Sequence, residues 1–240
     1  MKRQRLPQIG ILMLESQFPR LRGDIGHPDT FNPRALVKIV TDATPKRVVH
    51  ENAEGLVGRF IKAAQELQMQ GATLITTSCG FLVLHQAKLQ NAVDIPVVSS
   101  SLLAVPDALR ELKLKGLRPA ILTISKSSLS AEHLSAARIN EDIPINAPKL
   151  NGAFCTSILK NQSYMDAAAA REEVIDAAKK MIADHSKIGA IILECTNMPP
   201  YANEIALICK VPVLSLTNLL PHCASGLSLK NAVCKTLATG

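Results

Sequence analysis

The chain has 240 residues, of which 47% are hydrophobic and 20% are charged, and its net charge at pH 7 is +7. This composition is typical of one globular domain or of two half-size domains. The apolar runs, such as residues 188–193, are too short to cross a bilayer, and the basic start of the chain lacks a signal-peptide cleavage pattern. We therefore expect a cytoplasmic protein without a membrane partner.

The positive charge is concentrated in the first 50 residues, which hold nine Lys and Arg against four Asp and Glu. A nucleic-acid interface would need these residues on one face with aromatic side chains between them. Here they are scattered, and Phe18 and Phe31 are the only aromatic residues among them. We expect no nucleic-acid partner; a basic surface, or attraction of an anionic small-molecule substrate, remains open.

The first predicted element is a buried strand over residues 8–14, and a polar segment of about twenty residues follows it. Within that segment, Gly23–Phe31 is either a lid that places Asp24 or His27 over a cleft or ordinary turn chemistry. A short strand is predicted at Arg47–His50. The helical stripe that comes next, over residues 53–70, ends at a glycine cap, Gly71.

The rest of the chain alternates between predicted strands and helices. The strands are at residues 73–77, 96–98, 119–124, 190–193 and 211–214. The helices are at residues 81–89, 102–112, 130–138 and 166–185, with one more after Cys195 and another at the C-terminus, whereas residues 139–165 are predicted to be irregular. This alternation predicts an α/β fold with parallel sheets and right-handed crossovers.

Two segments of the chain look like copies of one β-loop-α-β unit, residues 71–103 with Cys79 and residues 189–220 with Cys195. In both, 17 residues separate the cysteine from a proline that opens the next strand. The duplication predicts two pseudo-symmetric lobes, each a parallel sheet flanked by helices like half of a flavodoxin-type fold. The active site would lie in the cleft between the lobes, with one thiol on each side.

Both cysteines are predicted at the carboxyl end of a strand, which is where open α/β folds bind their ligands. A following helix start would hold an anion and lower the pKa of the thiol. Short polar groups and backbone donors suited to a carboxylate surround both: Thr77, Ser78 and Gly80 near Cys79, and Glu194, Thr196 and Asn197 near Cys195. The sequence has no metal-ligand spacing and no dinucleotide or P-loop motif, so we expect neither metal nor cofactor.

The segments ITTSCGF and LECTNMPPY resemble the cysteine motifs of the aspartate/glutamate racemase superfamily. The resemblance implies a cofactor-independent amino-acid racemase in which Cys79 and Cys195 are the acid/base pair. It also implies that Thr77, Ser78, Thr196 and Asn197 help to hold the substrate carboxylate. The C-terminal helix would cross back, so that residues 1–103 and 216–240 form the first lobe and residues 104–215 the second.

Several alternatives remain open within this resemblance. Glutamate racemases carry Asn-Thr where this chain has Gly80-Phe81, and His where it has Asn197, so the resemblance does not name the substrate. A cis–trans isomerase of a dicarboxylic acid would also use two cysteines, whereas a decarboxylase of the superfamily would resemble the pattern with one. A carboxylate-binding protein without catalysis is the non-enzymatic alternative. A homodimer is compatible with all of these.

Overall fold

The computed structural model describes residues 8–239, which form two four-stranded parallel sheets flanked by helices. The strands of the first sheet lie in the order β2-β1-β3-β4, and those of the second in the order β6-β5-β7-β8. Their bounds are β1 Ile9–Leu14, β2 Leu36–Val40, β3 Leu74–Thr77, β4 Val97–Val98, β5 Arg118–Leu122, β6 Ile145–Asn146, β7 Ile188–Leu193 and β8 Val213–Leu214.

The helices connect successive strands and cover the faces of the sheets. In chain order they are α1 Pro45–Val49, α2 Val57–Met69, α3 Gln86–Gln90, α4 Val105–Lys113, α5 Ala131–Ala136, α6 Ala153–Leu159, α7 Ala167–Asp184, α8 Ala202–Cys209, α9 Leu216–Ala224 and α10 Leu229–Thr239. Three short 3₁₀ helices, Gly80–His85, Ser101–Ala104 and Pro199–Tyr201, precede α3, α4 and α8. Within residues 8–239, none of the helices combines the length and apolarity that a bilayer crossing requires.

The strand order is the same in both sheets, which confirms the two-lobed α/β fold predicted from the repeated cysteine segments. Each repeat runs from a buried strand through a cysteine and a 3₁₀ helix to an α-helix and a two-residue strand. The central strands β1 and β7 are buried along their whole length. Helices therefore cover both faces of each sheet, as parallel sheets require.

One hydrophobic core extends through both lobes, and a smaller cluster closes the other face of the first sheet. In the smaller cluster Leu216 and Leu220 of α9 pack with Ile9, Ile11 and Met13 of β1. The chain therefore returns to the first sheet after β8. The boundaries predicted for the two lobes remain a prediction.

The prediction of a strand at Arg47–His50 is wrong, because this segment belongs to α1. Thr44 is the N-cap of that helix and accepts a hydrogen bond from the Arg47 N–H, and Pro45 occupies its first turn. Threonine followed by proline is a helix-start pattern, and it outweighs the strand preference of two valines. The second strand of the sheet is instead β2, which the sequence analysis did not predict.

Residues 139–165 are not irregular throughout, since they contain β6 and α6. β6 has only two residues, too few for a recognisable alternation. The N-terminus of α6 is capped from a distance: the Glu173 carboxylate of α7 accepts hydrogen bonds from the N–H groups of Ala153, at 2.8 Å, and Phe154, at 3.0 Å. No local sequence pattern encodes such a cap.

Candidate active site

Both cysteines of the repeat line one cavity between the two lobes. Cys79 is the second residue after β3 and Cys195 the second after β7, and their exposed fractions are only 9% and 5%. Because the two strands occupy equivalent places in equivalent sheets, their ends meet at this cavity from opposite sides. The fold thus brings together two thiols that are far apart in the sequence.

Four of the five substrate-binding residues predicted from the sequence line the same cavity: Ser78, Gly80, Thr196 and Asn197. The fifth, Thr77, is fully buried behind the Cys79 turn. Its hydroxyl donates to the backbone carbonyls of Cys79, at 2.8 Å, and Ser99, at 2.7 Å. The hydroxyl of Thr77 therefore orders the turn from within its own lobe.

Hydrogen bonds across the lobes fix the two cysteine turns against each other. The Thr196 hydroxyl donates to the Ser78 carbonyl at 2.7 Å, and the Ser101 hydroxyl donates to the Leu193 carbonyl at 2.6 Å. All four residues are buried, so each bond satisfies groups that water cannot reach. The base of the cleft is consequently rigid.

Apolar side chains form the remaining wall of the cavity, and the sequence analysis identified none of them as site residues. They come from the first strand, the polar segment after it, α1, the Cys79 turn, the end of β5 and α6: Leu14, Phe18, Pro45, Val49, Phe81, Ile124 and Ile158. Phe81 is supported from behind by His133, whose ring meets it edge-on with 5.0 Å between centroids. Burial lowers the pKa of His133 to about 4, so this imidazole is neutral at pH 7.

The Gly23–Phe31 segment, whose role the sequence left open, is fastened to the Cys195 turn. Asp24 is 2% exposed, and its carboxylate accepts hydrogen bonds from the Asn197 amide, at 2.5 Å, and from Arg20, at 2.7 Å. The backbone N–H of Ile25 donates to the Thr196 carbonyl at 3.2 Å. Asp24 therefore orients Asn197, whereas His27 lies outside the cavity lining.

The expectation that the site lowers the pKa of the two thiols is wrong. Burial raises the pKa of Cys79 and of Cys195, and the Glu194 carboxylate adds to both shifts. The backbone N–H groups of Phe81 and Asn197 favour the respective thiolates but do not offset this desolvation. Both cysteines are therefore protonated thiols at pH 7.

The two thiols nevertheless differ in their surroundings. The charge of Arg20 favours the Cys79 thiolate, whereas Asp24 and Cys79 both disfavour the Cys195 thiolate. The Cys195 thiol also donates a hydrogen bond, at 3.6 Å, to the side-chain oxygen of Asn197. Cys79 is therefore the easier of the two to ionise.

A third ionisable group, Glu194, lines the cavity beside the thiols, and sequence reasoning had treated it only as a neighbour of Cys195. It is 1% exposed, and burial raises its pKa to about 7. Its Oε2 atom accepts a hydrogen bond from the Thr123 hydroxyl at 2.7 Å, and its Oε1 atom has no partner among the described residues. Among residues 8–239, no three His, Cys, Asp or Glu side chains gather to form a candidate metal site.

Comparison with curated proteins finds lyases. A dimethylsulfoniopropionate lyase of Durusdinium sp. clade D is 25% identical over 214 residues, which cover 85% of this chain and 70% of that protein. Dimethylsulfoniopropionate lyase 7 of Emiliania huxleyi (strain CCMP1516) is 26% identical, and the alignment covers 86% of this chain and 63% of that protein. Dimethylsulfoniopropionate lyase 5 of the same organism is 27% identical, and the alignment covers 91% of this chain and 45% of that protein. The chain thus spans between about half and 70% of the length of these relatives. No protein-family model matches it.

Comparison with solved structures confirms the fold of the aspartate/glutamate racemase superfamily. A variant of arylmalonate decarboxylase in a sulfate-associated form has a TM-score of 0.61 at 16% identity, over 92% of this chain and 95% of that one. The aspartate racemase of Picrophilus torridus has a TM-score of 0.52 at 14% identity, over 96% and 94% of the two chains. At such identities the likeness establishes the fold alone.

The prediction of an amino-acid racemase, and of an isomerase in general, is wrong. The curated relatives that align with most of the chain are lyases, and they overturn it. The cysteine motifs identify the fold correctly, but one fold supports several reactions. The reaction has to be argued from the site.

Replacement of Gly80 by alanine is expected to destabilise the protein by about 1–3 kcal/mol, because the new methyl group overpacks the cleft. A Cβ atom at Gly80 would lie 2.3 Å from Glu194 Oε1 and 2.4 Å from the Glu194 carbonyl oxygen. Urea unfolding of Gly80→Ala measures the loss. Gly58→Ala is the control, since no atom lies within 4 Å of its Cβ position and stability should not fall there. Equal stabilities of the two variants would contradict the close contact.

The pKa of Glu194 predicts a loss of stability with rising pH. Its carboxyl group ordinarily has a pKa of 4.5, and in the folded protein burial raises this to about 7. The folded state therefore binds the proton more tightly, and stability is lost as the pH rises from about 4.5 through about 7. Glu194→Gln should remove that part of the decline. Melting temperatures of both proteins at pH 5 and pH 8 test this. If the melting temperature of Glu194→Gln falls as much as that of the wild-type protein, the loss of stability comes from another group.

Proposed function

We propose that the chain is a lyase that cleaves dimethylsulfoniopropionate, the compound after which its relatives are named, into dimethyl sulfide and acrylate. The observation that carries this proposal is the alignment with dimethylsulfoniopropionate lyases over 85% to 91% of the chain. The geometry is compatible with it, because a cysteine whose thiolate form would act as a base lies in a mostly apolar cleft.

The reaction needs one base and no acid. A thiolate removes a proton from the carbon next to the carboxylate, and the electrons of that C–H bond form the double bond of acrylate. The C–S bond breaks with its electrons on sulfur, and the positively charged sulfonium leaves as neutral dimethyl sulfide. A neutral sulfide requires no proton on departure, and the thiol later returns its proton to water. A racemase, by contrast, must deliver a second proton from the opposite face.

Cys79 is the base in this proposal. Arg20 favours its thiolate, whereas Asp24 and Cys79 both disfavour the thiolate of Cys195. The Cys195 thiol also donates to Asn197, a hydrogen bond that the thiolate would lose. Cys195 would then act as a neutral group that shapes the cleft and donates a weak hydrogen bond.

The substrate carboxylate needs hydrogen-bond donors, because its charge otherwise opposes removal of the neighbouring proton. Backbone N–H groups of Gly80 and Thr196 are candidates, since both residues line the cavity and neither N–H donates to another backbone group among the described residues. The cross-lobe bonds that hold the two turns would keep these donors in place.

Release of dimethyl sulfide tests the function directly. Purified protein incubated with dimethylsulfoniopropionate should release dimethyl sulfide into the headspace, measured by gas chromatography, and an equal amount of acrylate into solution. A heat-inactivated sample provides the control for spontaneous elimination. If neither product forms above that control, the lyase proposal fails.

The single-base mechanism predicts unequal effects of two matched substitutions. Cys79→Ser should lower kcat by about 10³-fold, because a serine hydroxyl is far less acidic than a thiol and so forms the anionic base much less readily. Cys195→Ser should lower kcat by no more than about 10-fold, since a hydroxyl retains the hydrogen bond that the proposal assigns to this thiol. Initial rates of dimethyl sulfide release provide the comparison. Losses of equal size in both variants would show that both thiols exchange protons with the substrate.

A further inference from the structure

Glu194 holds a carboxylate oxygen in the cleft that nothing in the described chain satisfies. Its side chain is 1% exposed, Oε2 is held by Thr123, and the backbone N–H of Ile124 also favours the ionised carboxylate, whereas Oε1 has no hydrogen-bond partner among the described residues. Leaving a buried acceptor unpaired costs about 1–3 kcal/mol, and more for a charged group. A buried unpaired polar group in a cleft is characteristic of a functional site, where a ligand or an ion can supply the missing partner.

No cation of the described chain balances this carboxylate. The ion pairs formed within residues 8–239 do not include Glu194. The charge of Arg20 reaches Cys79, but its guanidinium already pairs with Asp24 at 2.7 Å. Within residues 8–239, no positive charge is therefore paired with ionised Glu194.

The rest of the cavity wall suits an alkylated cation rather than a metal ion or an ammonium group. Methyl groups on a sulfonium or quaternary nitrogen donate no strong hydrogen bonds and pack against apolar surface. Phe18, Val49, Phe81 and Ile158 supply such surface in the same cavity as Glu194. Aromatic rings also attract onium groups through their electron-rich faces.

We propose that Glu194 is the cation-binding residue of this cleft, and that its free oxygen pairs with the sulfonium group of the substrate. The inference rests on the proposed lyase function and specifies how that site selects its substrate: a small carboxylate that carries an onium group two carbons away. It also explains Gly80, since any side chain there would occupy the position of the Glu194 carboxylate.

The charge pair acts in substrate binding rather than in cleavage of the C–S bond. As the C–S bond breaks, the sulfonium loses its positive charge, so the attraction to Glu194 is weaker in the transition state than in the bound substrate. Interactions that weaken in this way lower KM without raising kcat. Once the sulfide is neutral the pair no longer exists, which favours release of the product.

A pair of stable ligands tests the inference without turnover. The first is the trimethylammonium analogue of the substrate, which cannot eliminate as a sulfide, and the second is its carbon isostere, in which a quaternary carbon replaces the nitrogen. The two share size, shape and carboxylate and differ in the positive charge. Isothermal titration calorimetry gives Kd for each ligand with the wild-type protein, Glu194→Gln and Glu194→Asp.

The wild-type protein should bind the ammonium ligand at least about 10-fold more tightly than the isostere, as expected of a desolvated charge pair. Glu194→Gln should reduce this preference to about threefold or less, and Glu194→Asp should keep part of it. Glu66→Gln is the control, because Glu66 pairs with Lys38 on the surface and its loss should leave the preference unchanged. Equal wild-type affinities for the two ligands, no binding of either, or a wild-type preference in Glu194→Gln would overturn the inference.

Kinetics separate failure of this inference from failure of the lyase function. With dimethylsulfoniopropionate, Glu194→Gln should raise KM about 10-fold and leave kcat within about threefold of the wild-type value. A wild-type protein that prefers the ammonium ligand but releases no dimethyl sulfide would refute the lyase and retain the cation site. If the wild-type protein releases dimethyl sulfide and Glu194→Gln has an unchanged KM, the lyase function is retained and the cation site is refuted.

Discussion

The structure depends on the burial of three ionisable groups, Cys79, Glu194 and Cys195, in one closed cleft. Glu194 disfavours a negative charge on either cysteine, and Cys79 disfavours one on Cys195. Desolvation keeps both thiols protonated and raises the pKa of the Glu194 carboxyl to about 7. A ligand that brings a positive charge would change this balance, because it stabilises the carboxylate and relieves the repulsion on a thiolate. Base formation and recognition of a cationic substrate would then be linked events.

The duplicated fold accounts for why two thiols face one cavity, but it does not decide the reaction. Equivalent turns after β3 and β7 place a cysteine on each side, and this arrangement suits a racemase that needs an acid and a base. A sulfonium leaving group removes the need for the acid. The difference between the two reactions therefore lies in the unsymmetrical groups around the thiols. Glu194 is such a group, since Ser78 stands at the equivalent position before Cys79, and the Arg20–Asp24 pair is another.

The sequence predicts the parts of the fold that are encoded locally. The unit of β3, Cys79 and β4 recurs as β7, Cys195 and β8, and it is recognisable because the spacing and the residue types are the same. Gly71 follows the end of α2 with a positive φ of 98°, as its position in the sequence predicts. The sequence does not predict α6, which is capped by Glu173 from α7. The role of Asp24 was also out of reach, since its partner Asn197 is 173 residues away. The wrong racemase prediction has a different origin: the cysteine motifs identify a fold, and one fold supports several reactions.

The cavity in this structure is smaller than the proposed substrate. The cavity is about 20 Å³, room for about one water molecule, whereas dimethylsulfoniopropionate has several times that volume. The floor of the cleft cannot widen easily, because buried cross-lobe bonds join Thr196 to Ser78 and Ser101 to Leu193. Phe18, in the apolar wall, lies under the guanidinium of Arg20, with 4.7 Å between the guanidinium carbon and the ring centroid, and Arg20 in turn pairs with Asp24 at 2.7 Å. Binding of a molecule of the proposed size would require the cavity to widen, and a substrate that displaced Phe18 would also disturb the Arg20–Asp24 pair beside Asn197.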